Sequence, residues 1–152
     1  MSIQSGNVYK IYNGKSGTIL DLSGTDGRTV SNFCVHHPVS GFSDNNGDNQ
    51  KWHLEQGPGG HWTFRSVASG QYLGIDGPVE NGTPLVSVDE PFRWDIYPDD
   101  EDSSVFRVYV PGAPTATNID LSDHGNATPG TIVTLWIKWE GKNQTWRFEQ
   151  VY

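Results

Sequence analysis

The chain has 152 residues, enough for one domain with a hydrophobic core of its own. Its formal charge of −8 at pH 7 repels phosphate backbones and anionic lipid, which makes nucleic acid and membrane surfaces poor partners and leaves neutral ligands open. The 18 glycines, 9 prolines and aromatic content of 12% favour many short strands joined by turns.

Three segments of the chain share one plan. Each opens with an alternating stretch that predicts a strand with one buried face. A turn containing glycine or proline follows, and then a short apolar strand that includes an aspartate. The segments are residues 8–23 (VYKIYNGKSGTILDLS), 62–76 (WTFRSVASGQYLGID) and 105–122 (VFRVYVPGAPTATNIDLS).

A tetrapeptide ending in tryptophan follows each segment and leads into another strand: residues 49–52 (NQKW), 91–94 (PFRW) and 143–146 (NQTW). We therefore predict a single all-β domain over residues 1–152, built from three repeats near 1–55, 56–100 and 101–152. About four strands per repeat give about twelve strands, in a closed or nearly closed arrangement that leaves little sheet edge exposed.

Gln-x-Trp at the end of a β repeat, with an aspartate after the second strand, resembles the pattern of ricin B-type lectins, over essentially the whole chain. Residues 50–52 and 144–146 keep the tripeptide, whereas residues 92–94 have lost its glutamine. The chain is similar to the small cytosolic fruiting-body lectins of mushrooms. The resemblance implies a β-trefoil of six hairpins. It also implies binding of terminal galactose or N-acetylgalactosamine, as in lactose and N-acetyllactosamine, in defence against nematodes or insects.

The tripeptides predict separate roles for their two side chains. We expect Trp52, Trp94 and Trp146 to fill the core near a threefold axis, since burying one such ring is worth a few kcal/mol. We expect Gln50 and Gln144 to hold the neighbouring loop, with direct ligand contact as the second reading.

The first repeat is the preferred ligand site. Strand alternation turns Asp21 away from its leucine neighbours, and one carboxylate can accept hydrogen bonds from two adjacent sugar hydroxyls. A flat ring could cover the apolar face of the sugar, and an amide can donate and accept. The candidates are Asp21, Gly24, His36 and His37 (favoured as the ring, with Phe33 as an alternative), and Asn46 or Asn49, of which family analogy favours Asn49. The alternative reading is that Asp21 caps a turn and the histidines are merely exposed.

The other two repeats differ in what they retain. In the second, Gly74 stands at the position of Asp21 and the nearest carboxylate is displaced, so no site is expected. The third keeps Asp120, Trp136 and Asn143, and we rank it second because the loop at 122–130 is expected to cover or misplace it.

Several other signals favour ordinary structural readings. Residues 44–55 carry the acidic spacing of a calcium loop but have Asn49 where glycine is needed, and His36 and His37 should point to opposite faces of a strand, so we expect no metal. The acidic run at 98–102 is interpreted as a solvated linker and Cys34 as a buried structural thiol. The start of the chain has no basic region followed by an apolar run, which leads us to expect a cytoplasmic protein.

The chain shows no motif for catalysis or a cofactor, and no carboxylate pair that would announce a glycosidase. The alternative from another functional class is a β-trefoil protease inhibitor that acts through surface loops, because one fold can host both functions. Because weak sugar sites gain from multivalency, the sequence also allows for a homodimer.

Overall fold

The computed structural model describes residues 2–24 and 36–152. Within them the chain forms twelve strands, which confirms the all-β class and the predicted number. The strands are β1 Val8–Asn13, β2 Ile19–Leu22, β3 Val39–Phe42, β4 Trp52–Gln56, β5 Trp62–Ser66, β6 Tyr72–Ile75, β7 Leu85–Val88, β8 Asp95–Pro98, β9 Phe106–Tyr109, β10 Thr117–Leu121, β11 Thr131–Ile137 and β12 Trp146–Val151. Short helical turns lie at Asp48–Gln50, Pro58–Gly60, Ser122–Gly125 and Lys142–Gln144. In this part of the chain no helix is long and apolar enough to cross a membrane.

All strand pairs are antiparallel, and the sheet closes on itself. The path runs β12-β9-β10-β11-β3-β2-β1, and β1 also pairs with β12 along its whole length, from Val8 opposite Val151 to Asn13 opposite Trp146. This pairing joins the first repeat to the last and removes an edge that would otherwise be exposed.

The three tryptophans make the same hydrogen bond in each repeat. The indole N–H of Trp52 donates to the carbonyl of Leu20 at 3.1 Å, that of Trp94 to Leu73 at 3.0 Å, and that of Trp146 to Ile119 at 3.3 Å. All three side chains are fully buried. A buried indole needs an acceptor for its N–H, and the second strand of each repeat supplies it. The bonds also fix the alignment of the repeats, because the residue after each carbonyl is Asp21, Gly74 or Asp120.

Aromatic packing joins the three repeats at the centre of the core. The ring of Phe148 contacts Tyr9 of the first repeat, Phe64 of the second and Phe106 of the third, at centroid separations of 6.0, 6.2 and 5.6 Å. The pairs with Tyr9 and Phe106 are edge to face and the pair with Phe64 is tilted; favourable aromatic pairs add about 0.5–1.5 kcal/mol each beyond the burial of their area.

The interpretation of residues 98–102 as a solvated linker is wrong at its second position. The Asp99 carboxylate is buried and accepts a hydrogen bond from Nε of Arg107 at 2.7 Å, and Arg107 is itself only 3% exposed. The buried position of Asp99 could not be predicted from this acidic segment, because only tertiary packing distinguishes one paired aspartate from its exposed neighbours. The predictions for Phe33 and Cys34 lie outside the described residues.

Candidate functional site

The first repeat places Asp21 beneath the turn that ends in Gln50. Asp21 is 4% exposed, and its Oδ2 accepts from Nδ2 of Asn49 at 3.1 Å and from Nε2 of Gln50 at 2.9 Å. Oε1 of Gln50 accepts the backbone N–H of Asn45 at 3.0 Å. The carboxylate, the amide and the glutamine that the sequence singled out therefore form one hydrogen-bonded group, with Gln50 joining the acid to the loop.

Asn46 does not belong to this group. It lies in the exposed part of the loop with φ of 59°, and its backbone N–H donates to the Asp44 carboxylate at 3.0 Å. Of the two amides considered from the sequence, the structure brings Asn49 to Asp21.

The two histidines are held against the second repeat and do not share a face. His37 is buried and its backbone N–H donates to Oγ of Ser87 at 3.0 Å, whereas His36 is exposed with its Nδ1 2.8 Å from the Ser87 carbonyl. Gly24, with φ of 79°, lies so close to the ring of His37 that a Cβ there would be 3.0 Å from Nδ1. Of the two histidines, His37 is the one that packs beside Gly24, and the assignment of either as the ring that covers a sugar stays a prediction.

Strand register identifies a ring that was not predicted from the sequence. Phe42 stands opposite Ile19 in the first repeat, as Trp136 stands opposite Asn118 in the third. Since alternate residues share a face of a strand, Phe42 and Trp136 lie on the same faces as the acids at Asp21 and Asp120. The signal was present in the chain, because Asn49 follows Phe42 at the interval at which Asn143 follows Trp136.

The second repeat has neither the acid nor the space for one. Its equivalent of Phe42 and Trp136 is Val88, which pairs with Tyr72. A Cβ on Gly74 would be 2.6 Å from Cγ2 of Val88, so this valine fills the place where a carboxylate would stand. The structure thus gives a steric reason why the second repeat has no site, as predicted from the sequence.

The third repeat forms an open cleft of about 380 Å³. Trp136 and Trp139 on its wall are 42% and 44% exposed, whereas Asp120 is 6% exposed. The lining residues are Asp120, Ser122, Asp123, His124, Trp136, Trp139 and Asn143. The cleft therefore combines a nearly buried carboxylate with two large and accessible rings, of which only Trp136 was predicted from the sequence.

The loop that was expected to cover this site forms one of its walls instead. Asp123 and His124 have φ of 55° and 52°, a left-handed turn that bends the chain sharply after β10. The ring of His124 then meets Trp139 edge to face with centroids 6.1 Å apart. Nδ2 of Asn143 donates to the Leu121 carbonyl at 3.1 Å, which fixes the amide beside the acid.

Burial dominates the electrostatics of the Asp120 carboxyl. Burial raises its pKa above the usual range, although hydrogen bonds from the side chains of Gln144, Asn143 and Trp139 act in the opposite direction. Nε2 of Gln144 donates to Oδ2 of Asp120 at 3.0 Å. The carboxylate is therefore largely desolvated and held by side-chain hydrogen bonds.

Comparisons with known proteins agree with this arrangement. The family model described as ricin-type beta-trefoil lectin domain-like matches residues 2–87 and 48–136. The ricin B-like lectin of Macrolepiota procera, solved in complex with lactose, is 42% identical, with 99% of this chain and 100% of that chain covered and a TM-score of 0.87. The chain belongs to the ricin B-type lectin family.

Further solved structures support the same fold for this ricin B-type lectin. The Rhizoctonia solani agglutinin is 27% identical, with a TM-score of 0.84 and 99% of both chains covered. ThreeFoil, a designed protein with threefold symmetry, is 21% identical with a TM-score of 0.81, and 95% of this chain and 99% of that chain are covered. The predicted β-trefoil is confirmed. A search of curated proteins found no match.

The Gln-x-Trp tripeptide of this ricin B-type lectin has two roles. Its tryptophan fills the core, and its glutamine ties the acid to the loop that follows the third strand. Nε2 of Gln50 donates to the Ser43 carbonyl at 2.8 Å as well as to Asp21, and Nε2 of Gln144 donates to the Ile137 carbonyl at 3.0 Å as well as to Asp120. The loss of glutamine at position 92 accompanies the loss of the acid at position 74.

Proposed function

We propose that this protein is a lectin that binds terminal galactose or N-acetylgalactosamine by recognition alone, through the cleft of the third repeat and the corresponding group in the first. One observation carries the proposal: the buried Asp120 carboxylate lies with the Asn143 amide in an open cleft walled by two exposed indoles.

This arrangement suits the chemistry of a galactose-type sugar. Adjacent hydroxyls can both donate to one carboxylate, and hydrogen bonds to a charged acceptor are worth about 1.5–3 kcal/mol each when shielded. The apolar face of the pyranose can then lie against the indole of Trp136, which is 42% exposed. The Macrolepiota procera lectin, solved with lactose, supports the choice of sugar at 42% identity.

The first repeat supports a second site of the same kind. Asp21, Asn49 and Gln50 reproduce the hydrogen bonds around Asp120, and Phe42 takes the register position of Trp136. We propose Phe42 as the ring that covers the sugar there. The family match gives the protease-inhibitor alternative no support.

Each site should bind a single sugar weakly. A shallow polar cleft recovers little net free energy, so we expect about −4 to −6 kcal/mol, or millimolar to high micromolar dissociation constants. Two sites on one chain would then allow useful avidity on surfaces that carry many glycans.

Isosteric substitutions of the two acids test the proposal. Asp21→Asn and Asp120→Asn keep the size of each side chain, and one amide oxygen can still accept from the neighbouring glutamine. Titration with lactose by calorimetry or NMR should show two sites in the parent, one in each single variant and none in the double variant.

Asp76→Asn is the matched control, because Asp76 is an exposed carboxylate of the second repeat and should leave both sites intact. Lactose binding that persists in a folded double variant would refute both site assignments. A parent protein that binds no galactoside on a glycan array would refute the function itself.

A further inference from the structure

The two glutamines that hold the site acids differ in their surroundings. Oε1 of Gln50 accepts the backbone N–H of Asn45. Oε1 of Gln144 accepts the equivalent N–H of Trp139 at 3.0 Å, and it also accepts Nη1 of Arg107 at 2.9 Å. The third site therefore has an additional, charged donor behind its glutamine.

Arg107 is a buried residue held on two further sides. Its Nε donates to Asp99 at 2.7 Å and its Nη1 to Oδ1 of Asn118 at 3.1 Å. The Arg107 and Asp99 side chains are only 4% and 5% exposed. Burial acts to raise the pKa of Asp99, but the Arg107 guanidinium holds that pKa below its usual value. The ion pair therefore stays charged in conditions under which ordinary carboxyl groups begin to protonate.

The guanidinium is a fourth group that favours one orientation of the Gln144 amide, beside the Trp139 N–H, the Ile137 carbonyl and Asp120. A guanidinium only donates, so the atom of Gln144 that faces it must be the carbonyl oxygen. Nε2 must then face Asp120 and the Ile137 carbonyl, as it does. A reversed amide would set two donors against each other and leave the buried carboxylate without this hydrogen bond.

We propose that Arg107, anchored by Asp99, is a positioning residue that acts through Gln144 to set the Asp120 carboxylate and the Trp139 backbone for sugar binding at the third site. Arg107 is not among the residues that line the cleft, so its effect is indirect. This inference rests on the third-repeat site proposed above.

The other repeats have no counterpart of this network among the described residues. Tyr12 pairs with Ile19 in the first repeat as Tyr109 pairs with Asn118 in the third, which puts Lys10 at the position of Arg107. Lys10 contacts Asp44 at 3.5 Å, and apolar Ile19 replaces Asn118. The third site is therefore held by more hydrogen bonds than the first. Its affinity for sugar should depend on the residue at position 107, whereas the affinity of the first site should not depend on Lys10.

The test uses the full chain carrying Asp21→Asn, so that lactose binding reports the third site alone. Arg107→Met removes the donor to Gln144, Asp99→Asn removes the anchoring charge, and Arg107→Lys keeps the charge but cannot reach Asp99, Asn118 and Gln144 together. Lys10→Met, at the same register position in the first repeat, is the matched control. NMR titration with lactose gives the dissociation constant, and the same spectra report the Gln144 side-chain amide and the Trp139 backbone N–H.

We expect Arg107→Met to weaken lactose binding on the order of tenfold and to shift both reporter signals. Asp99→Asn and Arg107→Lys should have intermediate effects and Lys10→Met none. A folded Arg107→Met protein with unchanged affinity and unchanged Gln144 signals would overturn the proposal. Should Arg107→Met not fold, Asp99→Asn and Arg107→Lys decide by the same criteria. Absence of lactose binding in the Asp21→Asn parent would instead refute the third-repeat site, while the Gln144 signals would still decide whether Arg107 orients that amide.

Discussion

Replacing Trp136 with alanine is expected to weaken lactose binding at the third-repeat site by about ninefold. A tryptophan presents up to about 250 Å², so Trp136, at 42% exposed, offers roughly 100 Å². If one face of a pyranose covers about half of that area, near 50 Å² of carbon surface leaves water, worth about 1.3 kcal/mol at about 25 cal/mol per Å². Trp136→Phe keeps a flat ring in the same place and should lose only about twofold by the same area estimate.

The assay is lactose titration in the Asp21→Asn background, which leaves the third site as the reporter. Tyr97→Ala is the control for loss of an exposed ring, because Tyr97 is 57% exposed and lies outside the cleft. Intrinsic fluorescence should also change on lactose addition in the parent and change less in Trp136→Phe. A Trp136→Ala protein that has an unchanged unfolding temperature and binds lactose within twofold of its parent would show that the sugar does not lie on this indole.

Four further predictions concern the two site acids and the glycine that replaces them in the second repeat. Because burial raises the pKa of Asp120, lactose binding at the third site should decline on acidification at a higher pH than an ordinary carboxyl group would give. Folding stability depends on the same charge in the opposite sense, because a carboxyl group with a raised pKa destabilises the folded protein when it is ionised. Asp120→Asn should therefore be at least as stable as the parent in urea unfolding at neutral pH. A clear loss of stability would contradict this. Gly74→Ala should lower the free energy of unfolding by about 1–3 kcal/mol, because the new Cβ would be 2.6 Å from Val88. Adding Val88→Ala to the same chain should relieve the clash, whereas a fully stable Gly74→Ala protein would contradict the steric explanation. Beads coated with galactose should be cross-linked by the parent but not by Asp21→Asn or Asp120→Asn alone, whereas cross-linking by either single variant would show that bivalency comes from association of chains.

Much of the organisation could be read from the chain because its signals are local and periodic. Alternating strands, intervening turns and a tryptophan at the end of each repeat predicted an all-β protein of three units. The same comparison of segments correctly aligned Asp21, Gly74 and Asp120. A buried indole needs both a large space in the core and an acceptor for its N–H. The fold meets both needs once in each repeat, and the sequence accordingly places one such tryptophan in each repeat.

The surroundings of the acids required the tertiary structure. The partner of a strand residue depends on register, and register placed Phe42 and Trp136 on the faces that carry the carboxylates. The spacing before Asn49 and Asn143 did contain this information, but loops of unequal length before β3 and β11 obscured it.

By itself, then, the sequence determined the threefold plan, the core tryptophans and the two repeats that retain an acid beside an amide. Tertiary structure alone decided that Asp99 is buried against Arg107, that this pair reaches Asp120 through Gln144, and that the loop after β10 lines its cleft. Each of these depends on how the strands and loops pack against one another, and the sequence of an acidic or polar segment does not indicate which of its residues become desolvated.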